Sequence, residues 1–178
     1  MDIRFSLSPA GGNRVYHISQ EDVRVVISRL PEKTYRRLRA VHFNDQARGN
    51  RRLGYTTTRG RREIALCALP ERMSFTHFLV KGQSPRQFGA LRGAQWPKLA
   101  IRRFLLYDVL LHEIGHLQEI NPDSKNPNRR FASETKAQEF ADSWRRKLWR
   151  TYFEHPDPVH NRPSAEELAA LEGPSDAA

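Results

Sequence analysis

The sequence predicts an α+β fold in which a small mixed β-sheet packs against a buried helix, with a second helix beside it. Strand-like runs lie in the first half of the chain. Residues 99–120 are apolar on nearly all sides, which is typical of a buried helix. Residues 132–152 repeat apolar side chains at helical spacing along one face.

Length and composition indicate one domain, or a domain with a tail. The chain has 178 residues, of which 38% are hydrophobic, so a core of modest size is expected. It holds 30 Lys and Arg against 20 Asp and Glu, a formal net charge of +10. The lone Cys67 excludes an intrachain disulfide and a cysteine-built zinc ribbon, and its apolar surroundings predict a buried position. No apolar run approaches the ~20 residues of a membrane span, and no signal peptide is evident, so we expect an intracellular protein without a membrane partner.

The first half of the chain predicts short strands around one helix. Ser19 and Asp22 form a capping pair that begins a helix, and Pro31 ends it. A glycine- and proline-rich stretch before Pro97 predicts a long loop of the kind that often borders a site. The expected elements are a strand at residues 14–18, a helical piece at 32–38, strands at 40–44, 52–58 and 62–69, and the loop at 70–95.

The second half of the chain predicts helices. Pro97 opens the buried helix, and an Asn-Pro pair stops it. A polar loop separates it from the second helix, after which prolines break the chain. Ser164 and Glu167 form a capping box for a last short helix. The expected divisions are a domain over residues 1–155 and a proline-broken, acidic tail over residues 156–178.

The buried helix contains the run His112-Glu113-Ile-Gly-His116. Histidines four residues apart on a helix lie about 40° apart, so both imidazoles can reach one metal ion. Glu113 projects about 100° from His112, which suits a base acting on a metal-bound water. The alternative is a pair of hydrogen-bonded core histidines with a stray glutamate, but burying these groups without a partner would be costly. We therefore predict a metal site, with Gly115 permitting a close backbone approach beside it.

The second helix offers the third ligand, because a catalytic zinc site usually takes three protein ligands. Glu134 shares a helical face with residues that should turn inward, whereas Glu139 lies on a charged face and Asp142 lies between the two. The alternative for Glu134 is a first-turn carboxylate favoured by the helix dipole. Geometry favours Glu134 as the ligand.

These two segments resemble the gluzincin metallopeptidases. The closest likeness is to the small intracellular ImmA/IrrE-like group, whose pattern is HExxH followed by ExxA(N/D)xFA; here the second motif runs from Glu134 through Gln138 to Ala141. The resemblance covers about residues 100–148. It implies a zincin-like fold, Zn²⁺ bound by His112, His116 and Glu134, and Glu113 as the catalytic general base.

The resemblance also implies a zinc-dependent peptidase of the bacterial cytoplasm that acts on a protein or peptide substrate. Gln138 stands where the family often has Asp or Asn contacting the first histidine; glutamine can accept that hydrogen bond, but it brings no charge. Hydrolysis further needs a group that stabilises the oxyanion. The candidates are Tyr107, Arg145, Tyr152, His155 and His160, and for the last two an exposed position without a role is the favoured interpretation.

A basic segment leaves a second function open. Twelve Lys and Arg residues lie from Arg24 through Arg62, against only Glu32 and Asp45. Clustered arginine can neutralise the phosphates of a nucleic acid, although a solvated surface without a partner explains it as well. The alternative function is therefore a basic, nucleic-acid-associated binding protein whose zinc site is structural or vestigial.

Overall fold

The computed structural model describes residues 3–47, 52–57, 62–118 and 127–172, and it confirms the α+β class. A four-stranded mixed sheet has the order β1-β3-β5-β4. Its parallel strands are β1 (Arg4–Leu7), β3 (Ala40–Asn44) and β5 (Glu63–Cys67), and β4 (Gly54–Thr57) runs antiparallel to β5 at one edge. A two-stranded ladder joins β2 (Arg14–Val15) to β6 (Leu69–Pro70).

The helices gather around one long central helix, residues 98–116. This helix runs without a break, and a π-helical segment, Leu105–Leu110, lies between its two α-helical segments. None of the helices in the described ranges is long and apolar enough to cross a membrane. The α-helices are α1 (Gln20–Ser28), α2 (Glu32–Tyr35), α3 (Lys98–Phe104), α4 (Leu111–His116), α5 (Pro127–Arg150) and α6 (Ala165–Leu171).

Several expected elements have different bounds in the structure. β1 was not predicted, although Phe5 and Leu7 alternate with Arg4 and Ser6; it is a four-residue edge strand with largely exposed residues. The strand expected at residues 14–18 is reduced to the two residues of β2. α5 begins at Pro127, earlier than the expected start at 132, because that start was taken from the first apolar repeats. Residues 119–126, the expected helix end and loop, lie outside the described residues.

The core lies where the inner strands meet the central helix. β3 and β5 bury most of their side chains, Cys67 among them, and every residue of the π-helical segment is buried. The capping box of Ser19 and Asp22 is confirmed and begins α1. The loop at residues 70–95 and the residue after it also contribute to the core: Phe75, Phe88 and Trp96 surround Phe104, with ring centroids 5.1–5.5 Å from that of Phe104.

The tail segment at residues 157–167 folds back over α1 and α3. Arg103, only 2% exposed, donates to the Pro158 and Asn161 carbonyls and pairs with Glu167. His160 is 1% exposed, so the expectation of an exposed residue is wrong. Its imidazole lies 3.1 Å from the Tyr107 hydroxyl because the prolines turn the chain inward against the central helix rather than into solvent.

A close contact between α4 and α5 sets the distance between the two helices. A Cβ at Gly115 would lie 2.8 Å from the Ala137 Cα and 2.9 Å from the Ala137 carbonyl oxygen. Both distances are shorter than van der Waals contact, so a side chain at this position would push the helices apart. The predicted role of Gly115 in close backbone approach is confirmed.

Replacing Gly115 with alanine separates helix propensity from packing. Alanine is more favourable than glycine inside a helix by about 1 kcal/mol, so propensity alone predicts stabilisation. Packing predicts the opposite, because the new Cβ overlaps the Ala137 backbone. We expect Gly115→Ala to lower the free energy of unfolding by about 1–3 kcal/mol, measured by urea denaturation. Gly115→Ser should cost at least as much, whereas a stabilised Gly115→Ala would contradict the close contact.

Candidate metal centre

Three side chains from α4 and α5 converge on one point. His112 and His116 project from α4, and Glu134 projects from α5, which packs against it. One ligand atom from each lies within 4.8 Å of the others. The His112 Nε2 is 3.1 Å from the His116 Nε2 and 3.2 Å from Glu134 Oε2, and the His116 Nε2 is 3.6 Å from Glu134 Oε1. These three residues form a group that could hold a metal ion.

Both imidazoles are held through their Nδ1 atoms. Gln138 Oε1 lies 3.0 Å from the His112 Nδ1, and the Ser133 hydroxyl lies 3.3 Å from the His116 Nδ1. Partners at Nδ1 fix the ring orientation and leave each Nε2 directed at the shared point. Gln138 thus contacts His112, as its sequence position suggested, and Ser133 supplies the equivalent contact that sequence reasoning missed.

Glu134 remains ionised beside the histidines. Hydrogen bonds to His112 and His116 hold the pKa of the Glu134 carboxyl well below its usual range, despite partial burial. A carboxylate that keeps its negative charge is a suitable ligand for a divalent cation.

Glu113 is buried next to His112, His116 and Glu134, on the side that faces β4. Its side chain is 7% exposed, and the Thr56 hydroxyl of β4 donates to Oε2 at 2.8 Å. Burial raises the pKa of Glu113, against the opposing effect of the neighbouring imidazoles and of Thr56. A carboxylate with a raised pKa is a stronger base, so the position suits proton transfer. Gly54 permits this close packing of β4 on the central helix, since a Cβ there would lie 3.2 Å from the Val109 Cγ1, which is tighter than ordinary contact.

An open cleft of about 780 Å³ leads to the three converging side chains. β4 forms one wall of the cleft and contributes Tyr55. The Arg52 guanidinium stacks on the Tyr55 ring, 4.7 Å from the ring centroid. Phe78 and Val80, from the loop expected to border a site, form another part of the wall. The cleft therefore combines apolar and cationic surface beside His112, His116 and Glu134.

The five oxyanion candidates do not line this cleft in the part of the chain that the structure describes. Tyr107 is buried against His160 and Arg29, and burial raises its pKa to about 12. Arg145 pairs with two aspartates, and Tyr152 is 85% exposed. His155 stacks on Phe153 near the tail. None of the five candidates therefore lies at the cleft, which agrees with the favoured interpretation that His155 and His160 have no catalytic role.

Comparison with known proteins adds no family assignment. No protein-family model, curated protein or solved structure matches the chain. The resemblance to gluzincins therefore rests on the two motifs and on the arrangement of His112, His116 and Glu134, which is compatible with a zincin-like site.

Removing the Glu134 carboxylate tests whether the three residues act together as ligands. We expect Glu134→Ala to weaken Zn²⁺ binding by about 100-fold or more, because one of three charged or basic donors is lost. Competition against a chromophoric chelator measures the affinity.

Glu139→Ala is the matched control, since Glu139 is an exposed carboxylate on the same helix. It should leave the affinity unchanged. Equal affinities for the two variants would show that the group at His112, His116 and Glu134 does not bind the metal as one site.

Proposed function

We propose that this protein is a zinc-dependent peptidase with His112, His116 and Glu134 as zinc ligands and Glu113 as the general base. The observation that carries the proposal is the spacing of the donor atoms. Nitrogen and oxygen ligands about 2.0–2.1 Å from a tetrahedral zinc ion lie about 3.3 Å from one another. The two Nε2 atoms lie 3.1 Å apart, His112 Nε2 lies 3.2 Å from Glu134 Oε2, and His116 Nε2 lies 3.6 Å from Glu134 Oε1, all close to that distance. The donor set of two imidazoles and a carboxylate is also one that catalytic zinc sites use.

Glu113 would perform the proton transfers of peptide hydrolysis. Zinc, when bound, would activate a water molecule and polarise the scissile carbonyl. The Glu113 carboxylate takes a proton from the attacking water and delivers it to the leaving amine. Thr56 holds Oε2 through its hydroxyl, which leaves Oε1 to exchange the proton. Burial keeps bulk water away from the carboxylate during the transfer.

The strand beside Glu113 favours an extended peptide as the substrate. β4 stands at the end of the strand order, so one of its edges has no partner strand among the described residues. An extended peptide can add to such an edge through main-chain hydrogen bonds. Because Thr56 of β4 contacts Glu113, a peptide on this edge would pass beside the general base.

Glu113→Gln separates metal binding from catalysis. Glutamine keeps the size and the hydrogen bond from Thr56 but cannot accept a proton. We expect hydrolysis of fluorescein-labelled casein to fall by about 10²–10⁴-fold, while Zn²⁺ affinity stays close to that of the wild type.

The control is Glu139→Gln, which makes the same chemical change on an exposed part of α5 and should retain activity. A zinc-loaded wild type that hydrolyses no peptide, or an equally active Glu113→Gln variant, would contradict the peptidase proposal.

A second candidate, binding of nucleic acid, is favoured by a row of arginines that the sheet brings together. The Arg4 amide donates to the Arg39 carbonyl, and the Arg39 amide donates to the Arg62 carbonyl. All three residues are exposed, and they lie where the parallel strands β1, β3 and β5 begin. Arg36 is exposed at the end of the neighbouring α2. Adjacent strands are about 4.8 Å apart, so these cations can follow a phosphate backbone.

A salt titration tests this second candidate. Each phosphate contact contributes about −0.9 to the slope of log affinity against log salt for duplex DNA. We expect Arg39→Gln/Arg62→Gln to reduce the magnitude of the slope by about 1.8, measured by fluorescence anisotropy.

The matched control is Arg72→Gln/Arg92→Gln, which removes the same charge from two exposed arginines elsewhere. Its slope should stay at the wild-type value. Binding that ignores salt, or no binding at about 50 mM salt, would remove the candidate.

A further inference from the structure

A buried ionic cluster adjoins the proposed metal ligands. Asp108 and Arg145 are 5% and 3% exposed, and their side chains pair directly. Asp108 Oδ1 also accepts hydrogen bonds from the Nε2 atoms of Gln83 at 2.5 Å and Gln138 at 3.1 Å. Asp142 accepts from the same two amides and from Arg145 at 2.6 Å. Burial raises the pKa of Asp108, whereas the Arg145 guanidinium and the amide donors favour its ionised form.

Gln138 joins this cluster to the ligand His112. Its Nε2 faces the two carboxylates, which can only accept, so its Oε1 must face the His112 Nδ1, 3.0 Å away. An amide oxygen also only accepts, so the His112 Nδ1 carries the proton. The His112 Nε2, which lies beside Glu134 and His116, is then the nitrogen that would present its lone pair to a bound metal ion. The carboxylates therefore select the histidine tautomer through one intervening amide.

The cluster also places negative charge next to the metal ligands. Asp108 and Asp142 carry two negative charges and Arg145 carries one positive charge, which leaves a net charge of −1. Asp142 is 24% exposed, so Asp108 is the buried carboxylate of the cluster. Burying it costs free energy.

Asp108 lies in an unusual part of the central helix. It stands four residues before His112, inside the π-helical segment Leu105–Leu110. Wider π turns inside α-helices are frequently found at functional sites. Here the turn carries a carboxylate that both reaches Gln138 and lines the cleft.

We propose that Asp108 is a positioning residue of the metal centre, which acts on His112 through the amide of Gln138. This inference rests on the proposed function, because it requires that His112 bind the metal. Gln138 orients the His112 imidazole, and the carboxylates polarise the Gln138 amide. Together these effects replace a carboxylate in direct contact with the histidine. Residues that contact metal-bound histidines typically change metal affinity by about 10–100-fold when they are removed.

A double-mutant cycle on Zn²⁺ affinity tests the relay. Asp108→Asn removes the charge, Gln138→Met removes the amide at similar length, and the double variant removes both. Chelator competition measures the affinity, Co²⁺ absorption spectra report the ligand geometry, and urea denaturation in EDTA measures the stability of the metal-free protein. Asp157→Asn is the matched control, since it breaks an Asp–Arg pair with Arg102 near the tail.

Each single variant should weaken Zn²⁺ binding by about 10-fold or more, and the double variant should bind as weakly as the weaker single one. Asp157→Asn should leave affinity unchanged. An Asp108→Asn variant that is destabilised but keeps wild-type affinity, or effects that multiply in the double variant, would overturn the relay while the metal centre survives. If Asp108→Asn does not fold, the Zn²⁺ affinity of Gln138→Met tests the relay instead, because Gln138 is only half-buried and its substitution is better tolerated. A wild type that binds no Zn²⁺ would overturn the metal centre itself and the relay with it.

Discussion

The backbone contact between α4 and α5 at Gly115 and Ala137 is the constraint on which the site depends. Glu134 lies one turn before Ala137, and Gln138 follows it directly, so both are placed by this one contact. The distances from Glu134 and Gln138 to the two histidines, 3.0–3.6 Å, follow from how closely the helices approach. A group of three donors tolerates displacements of only a few tenths of an ångström, and rigid helices in direct backbone contact provide that precision.

Polar groups within an apolar helix must be satisfied, and here that requirement organises the interior. The central helix carries Asp108, His112 and Glu113 among buried apolar residues. Asp108 pairs with Arg145 of α5 and accepts from Gln83 of the loop at residues 70–95, His112 contacts Gln138 of α5, and Glu113 accepts from Thr56 of β4. A buried network with every member paired is rigid, because any displacement leaves an unpaired group in a medium of low polarity.

Periodicity and motif spacing predicted the helix that carries His112 and His116, its partner helix and the group that these histidines form with Glu134, because these depend on helical geometry within each segment. The same reasoning missed Thr56 and Ser133, since nothing local marks which hydroxyl will meet Glu113 or His116. It was wrong about His160, whose burial follows from the turn of the tail onto the central helix. It left the oxyanion group open among five residues, none of which lines the cleft, because the orientation of a wholly apolar helix that carries Tyr107 cannot be read from its own pattern.

The sequence by itself determined the α+β class, the two helices that carry the site and the residues that converge on it. Those properties follow from side-chain periodicity and from donor spacing along a single helix. The tertiary structure alone decided that three strands bring Arg4, Arg39 and Arg62 into one row, and that Asp108 reaches His112 through Gln138. Contacts between residues distant in the chain depend on how elements pack, and packing is set by the whole molecule.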